Sequence, residues 1–338
     1  LARKGFEFLT QKMWDEKHGG FFLSVARDGT PKDTTKLTYA HSFVIYAFSE
    51  YSLASGDKDA SRWAEKTFSL LQTKTKDGEW GYLEDFNRDW TLARLSGSVP
   101  NVRSGKTLNT HMHLMEAFTT LTRASGQEKH RRALREVTQL IMDKTIHPQY
   151  GCAMEPFDFS WNPKPDQNGR FVTSYGHNVE FAWLLMDAAR VAQMPMKQPR
   201  KTALGLMEHA LKFGVDNERG GIAFLGPYQG KVTETAPFNQ NMKKSWWEQS
   251  ENLIATVEAY EWTRNPKYLN VFEKQWNWIW KHQIDHEAGD WYSEVDWTSG
   301  APLTTDKGHY GWKVSYHNGR ALMRVSEALR RLTKPTRR

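Results

Sequence analysis

The feature that most constrains the fold of this chain is a short glycine-led segment that recurs five times. The segments begin at Gly19, Gly78, Gly151, Gly220 and Gly289, so successive starts lie 59, 73, 69 and 69 residues apart. Each combines glycine with alternating apolar or aromatic residues, a pattern typical of a small strand or hairpin. Two helical patterns separate each segment from the next. The chain therefore reads as one supersecondary unit repeated along its length.

Ten helices are predicted between and around these segments from the apolar periodicity. Three helix-to-helix turns are marked by Gly56-Asp57, Gly126-Gln127 and Asn265-Pro266. The helices are expected near residues 1–14, 35–55, 59–73, 106–125, 128–144, 174–192, 198–213, 245–264, 267–282 and 316–332.

The predicted helices alternate in character. Those that follow a glycine-led segment, such as 174–192, are apolar nearly all round, whereas those between, such as 128–144, are amphipathic. Buried helices alternating with surface helices indicate an inner ring inside an outer ring. We therefore expect an all-α (α/α)6 barrel with short β-hairpins between helix pairs, forming a single domain over 1–338. Because the chain opens on an outer-type helix, its first inner helix is expected to be missing by N-terminal truncation; an open helical solenoid is the alternative.

Polar residues open the otherwise apolar inner helices at the spacing of the repeat, which packing alone does not explain. From His41 to His113 is 72 residues, and from His113 to His177 is 64. These residues are predicted to face one mouth of the barrel, where they could form a site. They are Tyr39, His41, Asn109, His113, His177, Glu180, Trp247, Glu251 and His317.

Composition excludes several classes of protein. The net charge is +7, but the basic residues are dispersed and no nucleic-acid module is visible, so no nucleic-acid partner is expected. No apolar run approaches the ~20 residues that a membrane span requires. The single cysteine, Cys152, excludes an intramolecular disulfide framework and reads as a small buried hydrophobe. A cytoplasmic monomer or weak homodimer is expected.

Other catalytic signatures are weak. A zinc site is not expected, because the two histidines of His111-Met112-His113 point in different directions on a helix. The acidic residues at Glu84-Asp85 and within Glu155–Asp158 keep open an alternative function, that of a glycoside hydrolase with two catalytic carboxylates. Tryptophans beside a polar site suit stacking on a sugar face. The candidates for that role are Trp246, Trp247 and Trp312.

Four segments carry a family resemblance. Residues 109–117, 174–180, 246–251 and 312–320 resemble, in order, the motif blocks of the cellobiose 2-epimerases, within the N-acylglucosamine 2-epimerase superfamily. The last block, with Tyr316-His317-Asn318-Gly319-Arg320 after Trp312-Lys313, is more similar to the disaccharide epimerases than to the N-acylglucosamine branch. The resemblance runs over essentially the whole chain.

The resemblance implies an (α/α)6 barrel that epimerises a small-molecule sugar without a cofactor or a metal. It places the two general acid/base groups at His177 and His317. It also implies that Glu251 orients a catalytic histidine. The family is expected to carry a sugar-binding arginine in its N-terminal inner helix. That arginine has no counterpart in this chain. The residues that would bind or orient the sugar are Tyr39, Asn109, His113, Glu180, Trp246, Trp247, Glu251 and Trp312.

Epimerisation beside an aldehyde requires removal of the proton on carbon 2 and its return on the opposite face. Two histidines on opposite sides of a planar enediolate meet this need, and imidazole exchanges protons near neutral pH. The expected substrate is a β-1,4-linked disaccharide such as cellobiose, lactose or mannobiose, epimerised at its reducing end. Alternatives are a mannose 2-epimerase or aldose–ketose isomerase of the same superfamily, an (α/α)6 glycoside hydrolase, and a non-catalytic sugar-binding barrel.

Overall fold

The computed structural model describes residues 1–93, 105–166 and 168–333. It contains eight strands of two or three residues, given below, and ten α-helices within these ranges. The helices are α1 Ala2–Phe8, α2 Thr38–Ser55, α3 Lys58–Lys74, α4 Leu108–Ser125, α5 Glu128–Lys144, α6 Tyr175–Val191, α7 Lys197–Phe213, α8 Trp246–Thr263, α9 Pro266–Trp278 and α10 Tyr316–Thr333.

The helix ends follow from local capping chemistry. Asp57 accepts hydrogen bonds from the amides of Asp59 and Ala60 at the start of α3, and Asn265 caps α9 in the same way. Gly56 ends α2 in the left-handed conformation, at φ 74°, which a residue without a Cβ adopts readily. The three predicted helix-to-helix turns are confirmed. α1 and α9 each finish in one turn of π-helix, at Leu9–Met13 and Ile279–Gln283.

The prediction of a small strand or hairpin at each glycine-led segment is confirmed, in the form of a hairpin. Each segment closes a tight hairpin through a single antiparallel bridge to the end of the preceding helix. The bridges are Trp14–Phe21, Lys76–Tyr82, Ile146–Ala153, Val215–Ile222 and Ile284–Trp291. The paired strands lie just outside these hairpins, where the chain enters a helix or leaves a hairpin. The antiparallel pairs are β1 Ser24–Val25 with β2 Pro31–Asp33, β3 Lys36–Leu37 with β4 Asp85–Phe86, β5 Val172–Ser174 with β6 Leu225–Pro227, and β7 Lys243–Ser245 with β8 Glu294–Asp296.

The described residues group into two compact units. The N-terminal unit comprises Leu1–Thr145, Glu155–Asn168 and Asp187–Met196, and the C-terminal unit comprises Ile146–Met154, Gly169–Met186 and Lys197–Arg338. In the first, α2 packs on α3 and α4, and α4 packs on α5; in the second, α8 packs on α9 and α10. Within the units, the inner helices α2 and α4, and likewise α8 and α10, thus contact each other, and the outer helices α3, α5 and α9 each pack on the inner helix before them. The expectation of a single domain stays a prediction.

Burial separates the inner and outer helices as expected, with two exceptions. α4 is buried on nearly every side, whereas α5 buries only a stripe. α2 and α10, both assigned to the inner set, bury one face only. On α10 the exposed face includes Leu322 and Met323, which are 42% and 65% exposed. Apolar composition alone therefore overstated the burial of the last helix.

A polar side chain at the fourth position of each of four inner helices fixes the preceding hairpin. Its acceptor atom binds the backbone N–H of the residue that forms the hairpin bridge. The pairs are His41 Nε2 with Phe21 at 2.9 Å, His111 Nε2 with Tyr82 at 3.0 Å, Asn178 Oδ1 with Ala153 at 2.9 Å and Gln249 Oε1 with Ile222 at 2.9 Å. These bonds satisfy buried backbone donors that the one-bridge hairpins cannot pair.

His41 therefore has a structural role, and its assignment to the polar mouth was wrong. Both ring nitrogens bind backbone groups, because Nδ1 donates to the carbonyl of Leu37 at 2.7 Å. Burial lowers the pKa of His41 to about 4, so the ring is neutral at physiological pH. His111 has the same arrangement, and burial lowers its pKa to about 4 as well.

Buried lysines join the strands to the hairpins in three of the repeats. Lys36, Lys106 and Lys244 are all fully buried. Their Nζ atoms lie 3.2, 2.7 and 3.0 Å from carboxylate oxygens of Asp15, Asp77 and Asp216. Lys244 also packs between two indoles, with Nζ 3.4 Å from the ring centroid of Trp278 and 4.3 Å from that of Trp297. Burial lowers the pKa of Lys244 to about 8, although Asp216 opposes the shift.

Within the described ranges, no helix is long and apolar enough to cross a membrane. The basic C-terminal tail, residues 334–338, lies outside those ranges. The cytoplasmic location and the oligomeric state stay predictions.

Replacing Lys244 by methionine is expected to destabilise the fold strongly. The substitution removes the nearest cation of the buried Asp216 carboxylate and leaves only Arg219, at 3.6 Å; breaking a buried pair costs about 3–5 kcal/mol. The free energy of unfolding, from urea titration, measures the loss. Lys243→Met is the matched control: its neighbouring ion pair with Glu294 is partly exposed, so about 0–1 kcal/mol is expected. Equal losses for the two variants would contradict a structural role for the buried lysine.

Candidate active site

The repeat places the proposed acid/base histidines at one position of their helices. Counting α10 from Ser315, the turn residue before it, His177 and His317 are the third residues of α6 and α10. Each is followed by a side chain that is anchored to a hairpin. Asn178 binds the amide of Ala153, and Asn318 Nδ2 donates to Asp290 Oδ1 at 3.1 Å. The backbone beside each histidine is therefore fixed from the neighbouring residue.

Both histidines contact the indole of Trp247. The ring centroid of His177 lies 5.1 Å from that of Trp247, and the ring of His317 lies 5.6 Å from it. The two imidazole rings therefore lie on the borders of the same indole, and the distance between their centroids is at most the sum of these two distances. The structure thus brings together three of the residues that the sequence predicted, from α6, α8 and α10 of the C-terminal unit.

Glu251, at the sixth position of α8, is the centre of a buried polar network. Its Oε1 atom lies 2.7 Å from Nδ1 of His317 and accepts a hydrogen bond from Arg320 at 2.8 Å. Its Oε2 atom accepts from the indole N–H of Trp183 at 2.8 Å. The predicted contact between Glu251 and a histidine is therefore present.

The charge state of Glu251 follows from these partners. Full burial would raise the pKa of this carboxyl, but the Arg320 guanidinium and the hydrogen bond from His317 outweigh burial and hold the pKa well below its usual value. Glu251 is thus ionised at neutral pH and accepts a proton in the bond to His317. His317 must then carry its proton on Nδ1, which fixes the tautomer of the ring.

Arg320 is a site residue that the sequence analysis quoted within a motif but did not assign. Its guanidinium donates to Glu180 at 3.0 Å and to Glu251 at 2.8 Å, and it lies 4.1 Å from the ring centroid of Tyr316. A signal was available, because Arg320 is the sixth residue of its helix, the position that Glu180 and Glu251 occupy in theirs. The position of Arg320 within the repeat therefore indicates a role in the site, which the residues next to it in sequence do not.

Phe224 is a second residue that the analysis missed. Its ring is 40% exposed and meets Trp247 edge-on, with centroids 5.4 Å apart, and His177 at 6.4 Å. The carbonyl of Phe224 accepts a hydrogen bond from the amide of Tyr175, which fixes the hairpin against the start of α6. The pattern of the segment that begins at Gly220 predicts only a hairpin, and it does not indicate which helix Phe224 contacts.

Three predicted sugar-binding residues belong to the N-terminal unit. Tyr39 and His113 are in contact, with ring centroids 5.3 Å apart. His113 Nδ1 lies 3.0 Å from a carboxylate oxygen of Glu116, one helical turn further along α4. The side-chain oxygen of Asn109 is buried and has no hydrogen-bond partner among the described residues. Their assignment to sugar binding stays a prediction.

Glu84 and Glu155, two of the acidic residues that left a glycoside hydrolase as an alternative, have structural hydrogen-bond partners. Glu84 accepts hydrogen bonds from the amide and hydroxyl of Thr107 and from the hydroxyl of Thr110, at 2.5 to 3.0 Å. Glu155 accepts from the amide of Asn109 at 3.2 Å. Both carboxylates therefore bind the N-terminal end of α4, where backbone N–H groups favour a negative charge.

The other two predicted tryptophans differ in exposure. Trp246 is 5% exposed and packs against His309, with ring centroids 5.0 Å apart. Trp312 is 71% exposed in the turn before α10. Trp247, rather than Trp246, contacts both histidines closely, and the sugar-binding roles of Trp246 and Trp312 stay predictions.

Ligand atoms of Glu180, Glu251 and His317 lie within 4.8 Å of one another, a spacing that could hold a cation. In this arrangement the guanidinium of Arg320 already binds both carboxylates. A metal ion there would meet that positive charge at close range. The two carboxylates are better described as the partners of Arg320, and His317 as a partner of Glu251.

Replacing Glu251 by glutamine is expected to destabilise the protein by about 3–5 kcal/mol at pH 7, because the buried Arg320 loses a charged partner. The pKa of Glu251 is lowered in the folded state, so its contribution is present above the unfolded pKa and is lost as the pH falls further. The difference between wild type and variant should therefore shrink below about pH 4.5, the usual value. Urea unfolding at pH 7 and at pH 4 measures it.

Glu261→Gln, on the same helix, is the control. Glu261 pairs with Arg331 at the surface, so its replacement should cost about 0–1 kcal/mol. A loss at Glu251 no larger than that at Glu261 would contradict the central role of this carboxylate.

Comparison with known proteins agrees with the geometry. The chain matches the model of the N-acylglucosamine 2-epimerase family over residues 1–321. It is 32% identical to a cellobiose 2-epimerase of Ruminococcus albus, over 96% of this chain and 80% of that protein. It is 26% identical to a D-mannose isomerase of Marinomonas mediterranea, over 97% of this chain and 80% of that protein.

Solved structures show the same relationship. The cellobiose 2-epimerase from Bacillus thermoamylovorans aligns with a TM-score of 0.83 at 27% identity, over 97% of this chain and 81% of that one. A GH76 α-mannanase from Bacteroides thetaiotaomicron aligns with a TM-score of 0.60 at 10% identity, over 86% of this chain and 73% of that one, a likeness of fold alone. The predicted fold class is confirmed: the chain is a carbohydrate isomerase that belongs to the N-acylglucosamine 2-epimerase family and has an (α/α)6-barrel fold.

Proposed function

We propose that this protein is a cofactor-independent carbohydrate 2-epimerase that acts on the reducing-end sugar of a β-1,4-linked disaccharide. The observation that carries the proposal is the contact of His177 and His317 with one indole, that of Trp247. Two imidazoles that border the same indole can serve as the two bases that inversion of a carbon centre requires. The relatives named cellobiose 2-epimerase support this substrate class.

The reaction begins on the open-chain aldose. One histidine removes the proton on carbon 2, and the electron pair of the broken C–H bond forms the carbon–carbon double bond of an enediolate. The second histidine, protonated, gives its proton to carbon 2 on the opposite face, and the aldehyde is restored. At His317 the exchange takes place at Nε2, because the bond from Nδ1 to Glu251 holds the other proton.

General acid–base catalysis contributes about 10²–10⁴ in rate. The enediolate also needs hydrogen-bond donors at its oxygens, each worth about 3 kcal/mol in comparable sites. Within the proposal, Tyr39, Asn109 and His113 bind the sugar. Trp247 supplies an apolar face for stacking. Glu251 and Arg320 hold His317 in one tautomer.

The second candidate is an aldose–ketose isomerase, which the relatives named D-mannose isomerase favour. It would use the same enediolate but return the proton to carbon 1, giving a ketose. Chromatography of the products from cellobiose, lactose, mannobiose, glucose and mannose separates the two. In heavy water, an epimerase places deuterium at carbon 2, whereas the isomerase places it at carbon 1 of the ketose. No exchange with any of these sugars would reject both.

Replacing either histidine is expected to abolish turnover. His177→Ala and His317→Ala should each lower the rate by about 10²-fold or more, and each should bind the sugar within a few-fold of wild type by calorimetry. The control is His286→Ala, an exposed residue whose ring bonds the carbonyl of Trp280 and which should leave the rate unchanged. Retained turnover in either of the first two variants would reject the two-base mechanism.

A further inference from the structure

The third position of α8 holds a residue that the mechanism does not use. In α6 and α10 this position carries His177 and His317; in α8 it carries Glu248. Glu248 is fully buried, and no cation is paired with its carboxyl group among the described residues; only the Ser245 hydroxyl and the backbone amide of Glu248 itself lie beside it as donors. A buried carboxylate without a cation is strongly disfavoured relative to the neutral acid. The side chain is therefore a functional candidate on grounds of burial and position.

The surroundings of Glu248 connect it to the site. A Cβ atom added to Gly176 would lie 2.7 Å from Cγ of Glu248 and 2.5 Å from Cη2 of Trp247. The first turn of α8 therefore packs directly on the backbone of α6, one residue before His177. Glu248 is followed in sequence by Gln249, whose side chain binds the amide of Ile222 in the preceding hairpin. Small displacements at Glu248 consequently act on Trp247 and His177.

We propose that Glu248 is a proton-dependent positioning residue, whose uncharged carboxyl group keeps Trp247 packed against Gly176 and whose ionisation releases that contact. A carboxylate formed there would draw water to a surface that excludes it, and the first turns of α6 and α8 would separate. The indole that contacts both proposed bases would then move. This inference rests on the proposed function for its catalytic readout only.

The charged groups around Glu248 favour the neutral form overall. Burial raises the pKa of Glu248 from 4.5 to about 8, and the negative charge of Glu294 adds to the effect. Lys243 and Ser245 oppose it in part. Lys243 is itself paired with Glu294 across the β7–β8 ladder, so its charge is already partly neutralised. On the α6 side Glu248 packs on Gly176, which precedes His177 in sequence, and Glu251 lies one turn further along α8.

The sign of the stability effect follows from proton binding. Between about pH 4.5 and pH 8 the unfolded chain releases the Glu248 proton, whereas the folded protein keeps it. The folded state thus binds more protons in this window, and its stability falls as the pH rises through it. Above the folded pKa both states are ionised, and the fall ends.

Glu248→Gln tests the proposal on the intact chain. In wild type the rate of epimerisation, as kcat/KM, should fall about tenfold for each pH unit above pH 8, and the variant should be flat to pH 9. The melting temperature of the variant minus that of wild type should grow between pH 5 and pH 8. Glu258→Gln is the matched control: this buried glutamate of α8 is paired with Arg324, so the variant should lose stability but keep the alkaline limb of wild type. Glu248→Met, neutral and of similar volume, should reproduce the flat profile if the glutamine variant folds poorly.

The outcomes separate the two proposals. The same alkaline limb in wild type and both neutral variants would overturn the role of Glu248 in positioning. A melting-temperature difference that does not change between pH 5 and pH 8 would overturn the buried neutral acid, whatever the catalytic result. If wild type epimerises no sugar at any pH, the proposed function fails, and the melting experiment still decides the state of Glu248.

Discussion

The arrangement of the site depends on one interaction, the hydrogen bond that a hairpin amide donates to the side chain of the fourth residue of the inner helix after it. A hairpin with a single bridge leaves backbone groups unpaired, and a buried unpaired amide is costly. His41, His111, Asn178 and Gln249 satisfy those groups. The same bond fixes the rotation of the helix. In α6 the third residue, immediately before it, therefore has a fixed direction and is His177; in α10 the residue after His317, Asn318, is held instead by a bond to the side chain of Asp290.

The network around Glu251 extends this rigidity from backbone to side chains. A carboxylate that accepts from Arg320, Trp183 and His317 is bound at both oxygens, so its rotation would break these hydrogen bonds. Because full burial alone would favour the neutral acid, its ionised state depends on the arginine. Arg320 thus keeps the Glu251 carboxylate ionised, and the ionised carboxylate in turn orients the ring of His317. Removing the arginine would disturb both together.

Much of this could be predicted from the sequence, and each failure has a physical cause. Gly56-Asp57 and Asn265-Pro266 are local capping signals, so the helix ends they predicted were right. His41 was misassigned because a histidine at a helix start looks the same whether it faces a ligand or a hairpin. Arg320 was missed because its partners, Glu180 and Glu251, are 140 and 69 residues away. Contacts at that separation leave no local pattern.

The sequence by itself determined the repeat and the order and approximate bounds of the helices, because periodicity and capping are properties of neighbouring residues; the catalytic role of the two histidines stays a prediction. Only the tertiary structure decided which polar groups bind hairpins, which bind one another, and which remain without a partner. Glu248 and Glu251 make the distinction clear. They are glutamates three residues apart on one helix, both fully buried; an arginine from α10 lowers the pKa of Glu251 against its burial, whereas burial raises the pKa of Glu248 to about 8. That difference is set by what packs against each side chain, and only the folded chain supplies it.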